Sequence, residues 1–345
     1  MDASVSPIRI QTPSRLHFGL LVPGPGEVRR YGGLGLGLAE PGYLMEARPS
    51  SAWRVRGEEA ERAERYLARL LQHQALGQAR PLDIHIVRAI PAHVGLGSGT
   101  QLACALAWLV ARSADFDPSL SDLLRWTGRG ARSKVGAAVF ASGGFIVDLG
   151  RAGDSSQTAT YLRFEFPQEW QVALFLPKDA RGLHGAQEQA VFAQLGPEAN
   201  RVSERLCRLA LLQIIPALLE GRYEDFAEGL WEYNRLAGKC FEAWQAGSYH
   251  SPEVVDLVAF LRQYAPVAVG QSSWGPTVFL IAPEQRLQEV LTQVDVHLNA
   301  TLGSIIITRA SLDGAILCQH QSGEWVPRHV RGARYPQNPT MRGRL

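Results

Sequence analysis

The sequence predicts an α+β protein with two domains. At 345 residues, the chain is long enough for two domains of ordinary size. Residues 82–90 alternate apolar and polar side chains, as a half-buried strand does, whereas residues 100–112 repeat apolar side chains at helical spacing. A polar segment at 151–160 is predicted to be the linker between domains or the tip of a hairpin. We therefore assign residues 1–160 to an N-terminal domain and residues 161–345 to a C-terminal domain.

The first half contains both strands and helices. Strands are predicted at 8–12, 31–38, 82–90 and 142–149, with 15–22 as strand or loop, and helices at 58–76, 100–112, 119–127 and 130–139. The strand at 31–38 reads YGGLGLGL, in which leucine repeats with a period of two and glycine leaves room for a close neighbour. The helix at 58–76 places Tyr66, Leu67, Leu70 and Leu71 along one face.

Helices predominate in the second half. They are predicted at 198–220, 223–244, 252–264 and 284–294, with strands at 170–176, 267–269, 277–281 and 304–308. The tail from Pro327 is basic and contains proline, so we expect it to pack poorly.

Composition and charge exclude several classes of protein. Hydrophobic residues make up 46% of the chain and charged residues 20%, which is typical of a globular protein with a sizeable core. The net charge of +2 predicts neither a nucleic-acid partner nor a membrane partner. The N-terminus lacks the features of a signal peptide, and the four cysteines include no CxxC pair. We expect a cytoplasmic protein without a structural metal.

A glycine-rich loop carries the strongest functional signal. The predicted strand at 82–90 is followed by PAHVGLGSGT and then by a helix. Glycines at this position let backbone N–H groups point at an anion, and the helix adds its N-terminal donors and the positive end of its dipole. Gly95, Gly97, Ser98, Gly99 and Thr100 are therefore predicted to bind phosphate. The alternative is a turn that only joins strand to helix.

Three motifs together resemble the GHMP superfamily, which includes galactokinase and the homoserine, mevalonate and phosphomevalonate kinases. They are the loop at 91–100, TPSRLHFG at 12–19 and GQSSWGPTVF at 270–279, and the resemblance extends over about residues 8–310. It implies the GHMP fold, with an N-terminal ribosomal protein S5 domain 2-like half and a C-terminal ferredoxin-like α/β half.

Two departures argue against kinase activity. Kinases of the mevalonate type carry a catalytic aspartate where this chain has Gly136, and Gly19 is followed by Leu20 and Leu21 in place of an acidic residue. Phosphoryl transfer depends on such carboxylates to hold magnesium and to orient the nucleophile. An ATP-dependent small-molecule kinase and a non-catalytic GHMP-fold binding protein remain the alternatives.

A branch of the superfamily that does not phosphorylate fits better. The chain resembles the beta-ribofuranosylaminobenzene 5'-phosphate synthases in PSRLHFGLL, RYGGLGLGL, ARSKVGAAVFASGGF and GQSSWGPTVF. The resemblance implies that phosphoribosyl pyrophosphate condenses with 4-aminobenzoate or 4-hydroxybenzoate, with loss of CO2 and pyrophosphate, in tetrahydromethanopterin biosynthesis. It also implies Mg²⁺ accompanying the pyrophosphate and a homodimer.

The site residues follow from these motifs. Arg15, His17 and Lys134 are the predicted catalytic residues, and Asp148 is the predicted metal ligand. Predicted to bind substrate, besides the glycine-rich loop, are Arg30, Arg132, His184, Ser272, Ser273 and Trp274, with Phe145 as a second ring neighbour. Each has a structural alternative: a solvated arginine, a satisfied buried histidine, or a strand-end aspartate that holds backbone.

Overall fold

The computed structural model describes residues 6–25, 27–152, 160–178, 182, 185–297, 302–321 and 324–330. His184 and the tail beyond residue 330 lie outside the described residues. The strands are β1 (Ile8–Gln11), β2 (Ser14–Val22), β3 (Arg29–Leu38), β4 (Leu44–Pro49), β5 (Arg54–Gly57), β6 (Leu82–Arg88), β7 (Phe145–Asp148), β8 (Arg151–Ala152), β9 (Tyr161–Phe164), β10 (Trp170–Pro177), β11 (Ala268–Gln271), β12 (Val278–Pro283), β13 (Leu302–Thr308), β14 (Ile316–Gln321) and β15 (Glu324–His329).

The α-helices are fewer than the strands in the first half and dominate the second half. They are α1 (Ala60–Leu70), α2 (Ser98–Ser113), α3 (Leu120–Thr127), α4 (Val135–Ser142), α5 (Gly185–Gln194), α6 (Ser203–Leu209), α7 (Ile215–Glu220), α8 (Tyr223–Lys239), α9 (Pro252–Arg262) and α10 (Glu284–His297). Helix α2 is buried along almost its whole length, because its apolar side chains face the core all round. It therefore holds the glycine-rich loop before it rigidly.

The strands form three sheets. Their orders are β15–β14–β1–β4–β6–β5, β2–β3–β7–β9 with β8 beside β3, and β11–β12–β10–β13. β1 pairs antiparallel with both β14 and β4, so the last strands described complete the sheet that the first strand begins. The predicted division at residue 160 stays a prediction.

The predicted tail begins inside a strand. Pro327 lies in β15 opposite Cys318 of β14, at the edge of the six-stranded sheet. An edge strand tolerates proline because one side of the strand has no ladder hydrogen bonds to make. The strands β4, β5, β14 and β15 are short or flanked by charged side chains, and the sequence analysis did not identify them.

Several predicted helices have different limits. α1 ends at Leu70 rather than at residue 76, and α8 ends at Lys239 rather than at residue 244. α4 begins at Val135 rather than at residue 130, because Gly128 and Gly130 have φ angles of 63° and 78°, outside the helical region. The predicted helix at 198–220 is a 3₁₀ turn followed by α6, a π-helical turn (Ala210–Ile214) and α7. Pro216 falls in the first turn of α7, where its missing N–H is tolerated.

Helix α8 joins the strands that carry two of the motifs. Asn234 on α8 donates to the carbonyls of Phe18 on β2 (2.8 Å) and Gln271 on β11 (2.9 Å). Its side-chain oxygen accepts from the N–H of Gln271 (2.9 Å). This buried amide thereby fixes the distance between the first motif and the last, and all three residues border the same cleft.

Candidate functional site

The three motifs meet at one cleft of about 590 Å³. Its walls are β2, the first turn of α2, the loop at 128–133, α5, the end of α8 and the loop at 272–275. Of the sequence-predicted residues, the described lining includes Arg15, His17, Gly95, Gly97, Ser98, Gly99, Thr100, Arg132, Ser273 and Trp274. Residues more than 250 positions apart in the chain thus share one site.

The glycine-rich loop adopts a conformation that suits glycine. Gly95 and Gly97 have φ angles of 91° and 80°, in the left-handed region that other residues avoid. A Cβ on Gly97 would lie 2.8 Å from Cγ of Arg15, so the arginine packs directly over the loop backbone. Arg15 also donates from Nη1 to the Gly95 carbonyl. The guanidinium is thereby held beside the N-terminus of α2.

Arg15 stays charged although it is buried. Burial lowers its pKa to about 10, and Glu188 opposes that shift. At neutral pH the group therefore remains a cation, and its burial leaves it weakly solvated. A phosphate oxygen that enters the cleft gains more from such a cation than from one in bulk water.

The loop at 272–275 packs against the glycine-rich loop. The Ser272 hydroxyl donates to the Gly95 carbonyl (2.8 Å) and accepts from the N–H of His17 (3.1 Å). A Cβ on Gly95 would overlap the Ser272 carbonyl. Ser272 is fully buried, so it links the three motifs, and its neighbours Ser273 and Trp274 line the cleft.

His17 is a neutral imidazole with a defined tautomer. The N–H of Gly19 donates to its Nδ1 (3.2 Å), so the ring proton is on Nε2, which lies 2.8 Å from the Ser133 hydroxyl. Burial first, and then nearby Arg15, lower the pKa of His17 to about 3. It acts at neutral pH as a hydrogen-bond donor to Ser133 rather than as a cation.

Two arginines that the sequence analysis did not single out lie beside Gly99. Arg62 donates to the Ser98 hydroxyl (3.2 Å), and Arg129 donates to the Tyr66 hydroxyl (2.6 Å). Burial raises the pKa of Tyr66, but Arg129 and Arg62 more than offset this and leave it lowered. The described lining residues thus include four arginines: Arg15, Arg62, Arg129 and Arg132.

Aromatic rings form the opposite part of the cleft. Phe241 lies 4.5 Å from Trp274 between ring centroids, and Phe192 lies 5.6 Å from Phe241 and 6.2 Å from Trp274. The Arg132 guanidinium stacks 4.5 Å from the Phe192 centroid and pairs with Glu188 at 2.9 Å. We call Phe192, Phe241 and Trp274 the ring cluster. The ring cluster provides edge and face contacts for a flat aromatic ligand, next to a cation.

Several predicted site residues lie outside the described lining. Arg30 stacks 5.1 Å from the ring of Tyr31, and Lys134 is buried beside the cleft loop with its pKa lowered, chiefly by that burial. Phe145 is a core residue that stacks on Phe18. The structure does not bring these three side chains together with the arginines.

The Asp148 carboxylate accepts hydrogen bonds from the backbone and does not face the cleft. It is fully buried, and it accepts from the N–H groups of Lys134 (2.6 Å) and Gly150 (2.9 Å). These bonds position the loop that precedes α4. The sequence alternative of a strand-end aspartate with a structural role describes this geometry better than a metal ligand does.

The residues of the cleft do not suit a resident Mg²⁺. This ion prefers several carboxylate or carbonyl oxygens. No three His, Cys, Asp or Glu side chains converge anywhere in the described ranges. Glu188, the one carboxylate among the described lining residues, is paired with Arg132. Backbone N–H groups, hydroxyls and guanidinium groups line the loop instead, and these bind anions.

Sequence reasoning missed Arg62, Arg129, Glu188, Phe192 and Phe241. A weak signal existed for two of them. Arg62 and Tyr66 are four residues apart on one face of α1, and Arg129 and Arg132 share the glycine-containing segment TGRGARS. Glu188 and Phe192 lie on α5, and Phe241 follows α8, with no motif to single them out.

Comparison with known proteins gives the class of protein. Residues 61–144 match the GHMP kinases N terminal domain, and residues 214–299 match the GHMP kinases C terminal domain. Mevalonate diphosphate decarboxylase from Staphylococcus aureus superposes with a TM-score of 0.65 at 14% identity, covering 91% of this chain and 98% of that one. Homoserine kinase from Cytophaga hutchinsonii superposes with a TM-score of 0.62 at 14% identity, covering 90% and 97%. The chain has the GHMP fold, as predicted.

More similar relatives place the chain within that superfamily. The beta-ribofuranosylphenol 5'-phosphate synthase of Methanothermobacter thermautotrophicus is 30% identical over 296 residues, which cover 80% of this chain and 89% of the relative. The protein of the same name from Methanocaldococcus jannaschii is 29% identical over 329 residues, covering 88% and 97%. The chain belongs to the beta-ribofuranosylphenol 5'-phosphate synthase family of the GHMP superfamily, and it is an enzyme. None of its described helices is both long and apolar enough to span a bilayer.

Proposed function

We propose that the enzyme condenses phosphoribosyl pyrophosphate with 4-hydroxybenzoate or 4-aminobenzoate and releases CO2 and pyrophosphate. One observation carries the proposal: the same cleft holds three arginines against a glycine-rich loop (Arg15, Arg62 and Arg129) and a cluster of three aromatic rings with Arg132 stacked on it. A ligand with two phosphate ends and a flat aromatic acid are the two partners that such a cleft complements. The name of the relatives denotes a phenol product, which favours the hydroxybenzoate.

The bond changes balance without a net proton. The C1–O bond of the ribose breaks, and its electron pair leaves with pyrophosphate. The ring carbon that bears the carboxylate bonds to C1, and the ring–carboxylate bond then breaks. Its electron pair restores aromaticity as CO2 departs. Such a reaction needs stabilised negative charge on the leaving group more than it needs a proton shuttle.

The residues at the loop match that need. Arg15 stays charged at neutral pH and lies over Gly97. There it stabilises the negative charge that develops on the departing pyrophosphate. His17 is neutral, so we assign it the role of orienting Ser133 through its Nε2 proton. Phosphoribosyl pyrophosphate would enter with Mg²⁺ on its own phosphate oxygens. We also propose a cytoplasmic homodimer that serves tetrahydromethanopterin biosynthesis.

Position 136 argues against phosphoryl transfer to an alcohol. Gly136 lies at the start of α4, and a Cβ there would sit 3.5 Å from the Thr100 side chain. An aspartate at this position would face the phosphate loop, as a general base requires. Glycine supplies no such group, although the backbone leaves space for one.

A dual-label assay tests the function. Carboxyl-labelled 4-hydroxybenzoate and 4-aminobenzoate are each incubated with phosphoribosyl pyrophosphate, and both labelled CO2 and pyrophosphate are measured. We expect equal amounts of both products, formed only when both substrates are present. Pyrophosphate release with the label retained would indicate an N- or O-riboside and would refute the proposal. ATP-dependent phosphorylation of a small alcohol would also refute it.

A further inference from the structure

A second cationic group lies on the far side of the glycine-rich loop from Arg15. It consists of Arg62 and Tyr66 on α1 and Arg129 on the loop before α4, and we call it the arginine clamp. Both guanidinium groups lie against the Tyr66 ring, at 5.7 Å and 5.2 Å from its centroid. The motifs assign no role to these three residues.

The two guanidinium groups converge on one point of the backbone. A Cβ on Gly99 would lie 2.9 Å from Nη2 of Arg62 and 3.4 Å from Nη1 of Arg129. Gly99 is in the first turn of α2, a helix of 16 residues, so the dipole of the helix adds to the positive potential there. Glu59 pairs with Arg62 at 2.9 Å and offsets part of the charge. Two like charges held together over a helix N-terminus form a site for an anion.

The clamp and Arg15 contact different parts of the glycine-rich loop. Arg15 donates to the Gly95 carbonyl, and the Ser272 hydroxyl donates to the same carbonyl at 2.8 Å. Arg15 also interacts electrostatically with Glu188, which pairs with Arg132 beside the Phe192 ring, so Arg15 is on the ring side of the loop. The clamp is held by α1 and packs against Gly99, beyond Gly97.

Substrate chemistry then orders the two anion sites. The acceptor ring attacks C1 of the ribose, and C1 carries the pyrophosphate. The pyrophosphate must therefore lie near the ring cluster, whereas the 5'-phosphate lies at the other end of the sugar. We propose that Arg62, Tyr66, Arg129 and Gly99 form the subsite for the 5'-phosphate, and that Arg15 with Gly95 and Gly97 receives the pyrophosphate. This inference rests on the proposed function.

Calorimetric titration with each half of the substrate tests the assignment. D-ribose 5-phosphate and pyrophosphate are titrated separately into the full-length wild-type chain, into Arg129→Gln and into Arg15→Gln. Loss of a charge-assisted contact with phosphate is expected to weaken binding at least tenfold. Arg129→Gln should weaken the binding of ribose 5-phosphate in this way and leave the affinity for pyrophosphate within twofold of the wild type. Arg15→Gln should weaken the binding of pyrophosphate and leave the affinity for ribose 5-phosphate within twofold. Arg65→Gln is the matched control, because Arg65 is on the same helix as Arg62 but exposed.

Gly99→Ala probes the clamp without removing a charge. Alanine favours the helix more than glycine does, so the melting temperature should not fall. The new Cβ would displace the Arg62 guanidinium, and we expect at least tenfold weaker binding of ribose 5-phosphate. This variant keeps the test sound if Arg129→Gln folds poorly.

The remaining outcomes are decisive. Equal weakening of both ligands by Arg129→Gln would indicate a general electrostatic effect and would overturn the assignment. Selective weakening of pyrophosphate binding by Arg129→Gln would also overturn the assignment, because it would place the pyrophosphate at the clamp. Each of these can occur while CO2 and pyrophosphate are still released, so the inference can fail without the proposed function. If neither half-substrate binds the wild type, the inference fails, whereas the proposed function is judged by the dual-label assay.

Discussion

Gly97 offers the sharpest test of the phosphate loop. Its φ angle of 80° costs any other residue about 1–2 kcal/mol, because a left-handed conformation brings Cβ against the backbone. The Cβ of Gly97→Ala would also lie 2.8 Å from Cγ and 3.2 Å from Nε of Arg15, so the guanidinium must move. Losing one hydrogen bond to a charged group costs about 1.5–3 kcal/mol. We therefore expect pyrophosphate to bind roughly 10- to 150-fold more weakly.

The assay separates loss of binding from loss of stability. Pyrophosphate affinity is measured by calorimetry, and unfolding is followed by circular dichroism. Gly221→Ala is the matched control, since Gly221 has a φ of 69° but no atom within 4 Å of its added Cβ. It should lose similar stability and keep full affinity. The reasoning fails if Gly97→Ala is folded and binds pyrophosphate within twofold of the wild type. Gly97→Val should weaken binding at least as much.

Three further predictions follow from the same geometry. Arg15→Lys should lose most of the kcat/KM while keeping its melting temperature, because lysine lacks the planar fork; near-wild-type turnover would contradict a role for the Arg15 fork in binding the substrate. His17 has a pKa of about 3 against 6.5 when unfolded, so the unfolded state binds more protons and stability falls as pH drops from 6.5 to 3, by up to about 1.4 kcal/mol per pH unit. His17→Gln should show a flatter slope in urea unfolding across that range, and an unchanged slope would contradict the depressed pKa. Trp274→Leu should raise the KM for the aromatic acid by about tenfold or more and that for phosphoribosyl pyrophosphate much less. Trp325→Leu at the sheet edge is its control, and equal effects of the two substitutions on the KM values would argue against the ring cluster as the acceptor site.

Local chemistry in the sequence was enough to place the loop and its immediate partners. Glycines between a strand and a helix have few uses, and the spacing of Gly95 and Gly97 from Pro91 carries the resemblance to the superfamily. Gly136 likewise needed no structure to raise doubt about a kinase. These signals can be recognised in the sequence because the backbone requires glycine in the loop, whereas kinase chemistry requires an acidic residue at position 136.

Only the tertiary structure separated the cations that face the cleft from those that do not. In the sequence Arg30 and Lys134 look as suitable as Arg62 and Arg129, since every one is a basic residue near a glycine or a helix. The difference lies in which face of each element meets the cleft, and packing between distant segments decides that. Phe192 and Phe241 of the ring cluster had no sequence signal for the same reason, although Trp274 was predicted from its motif. Phe192, Phe241 and Trp274 come from three separate elements, and their rings meet only because α5, the end of α8 and the loop at 272–275 close around one space.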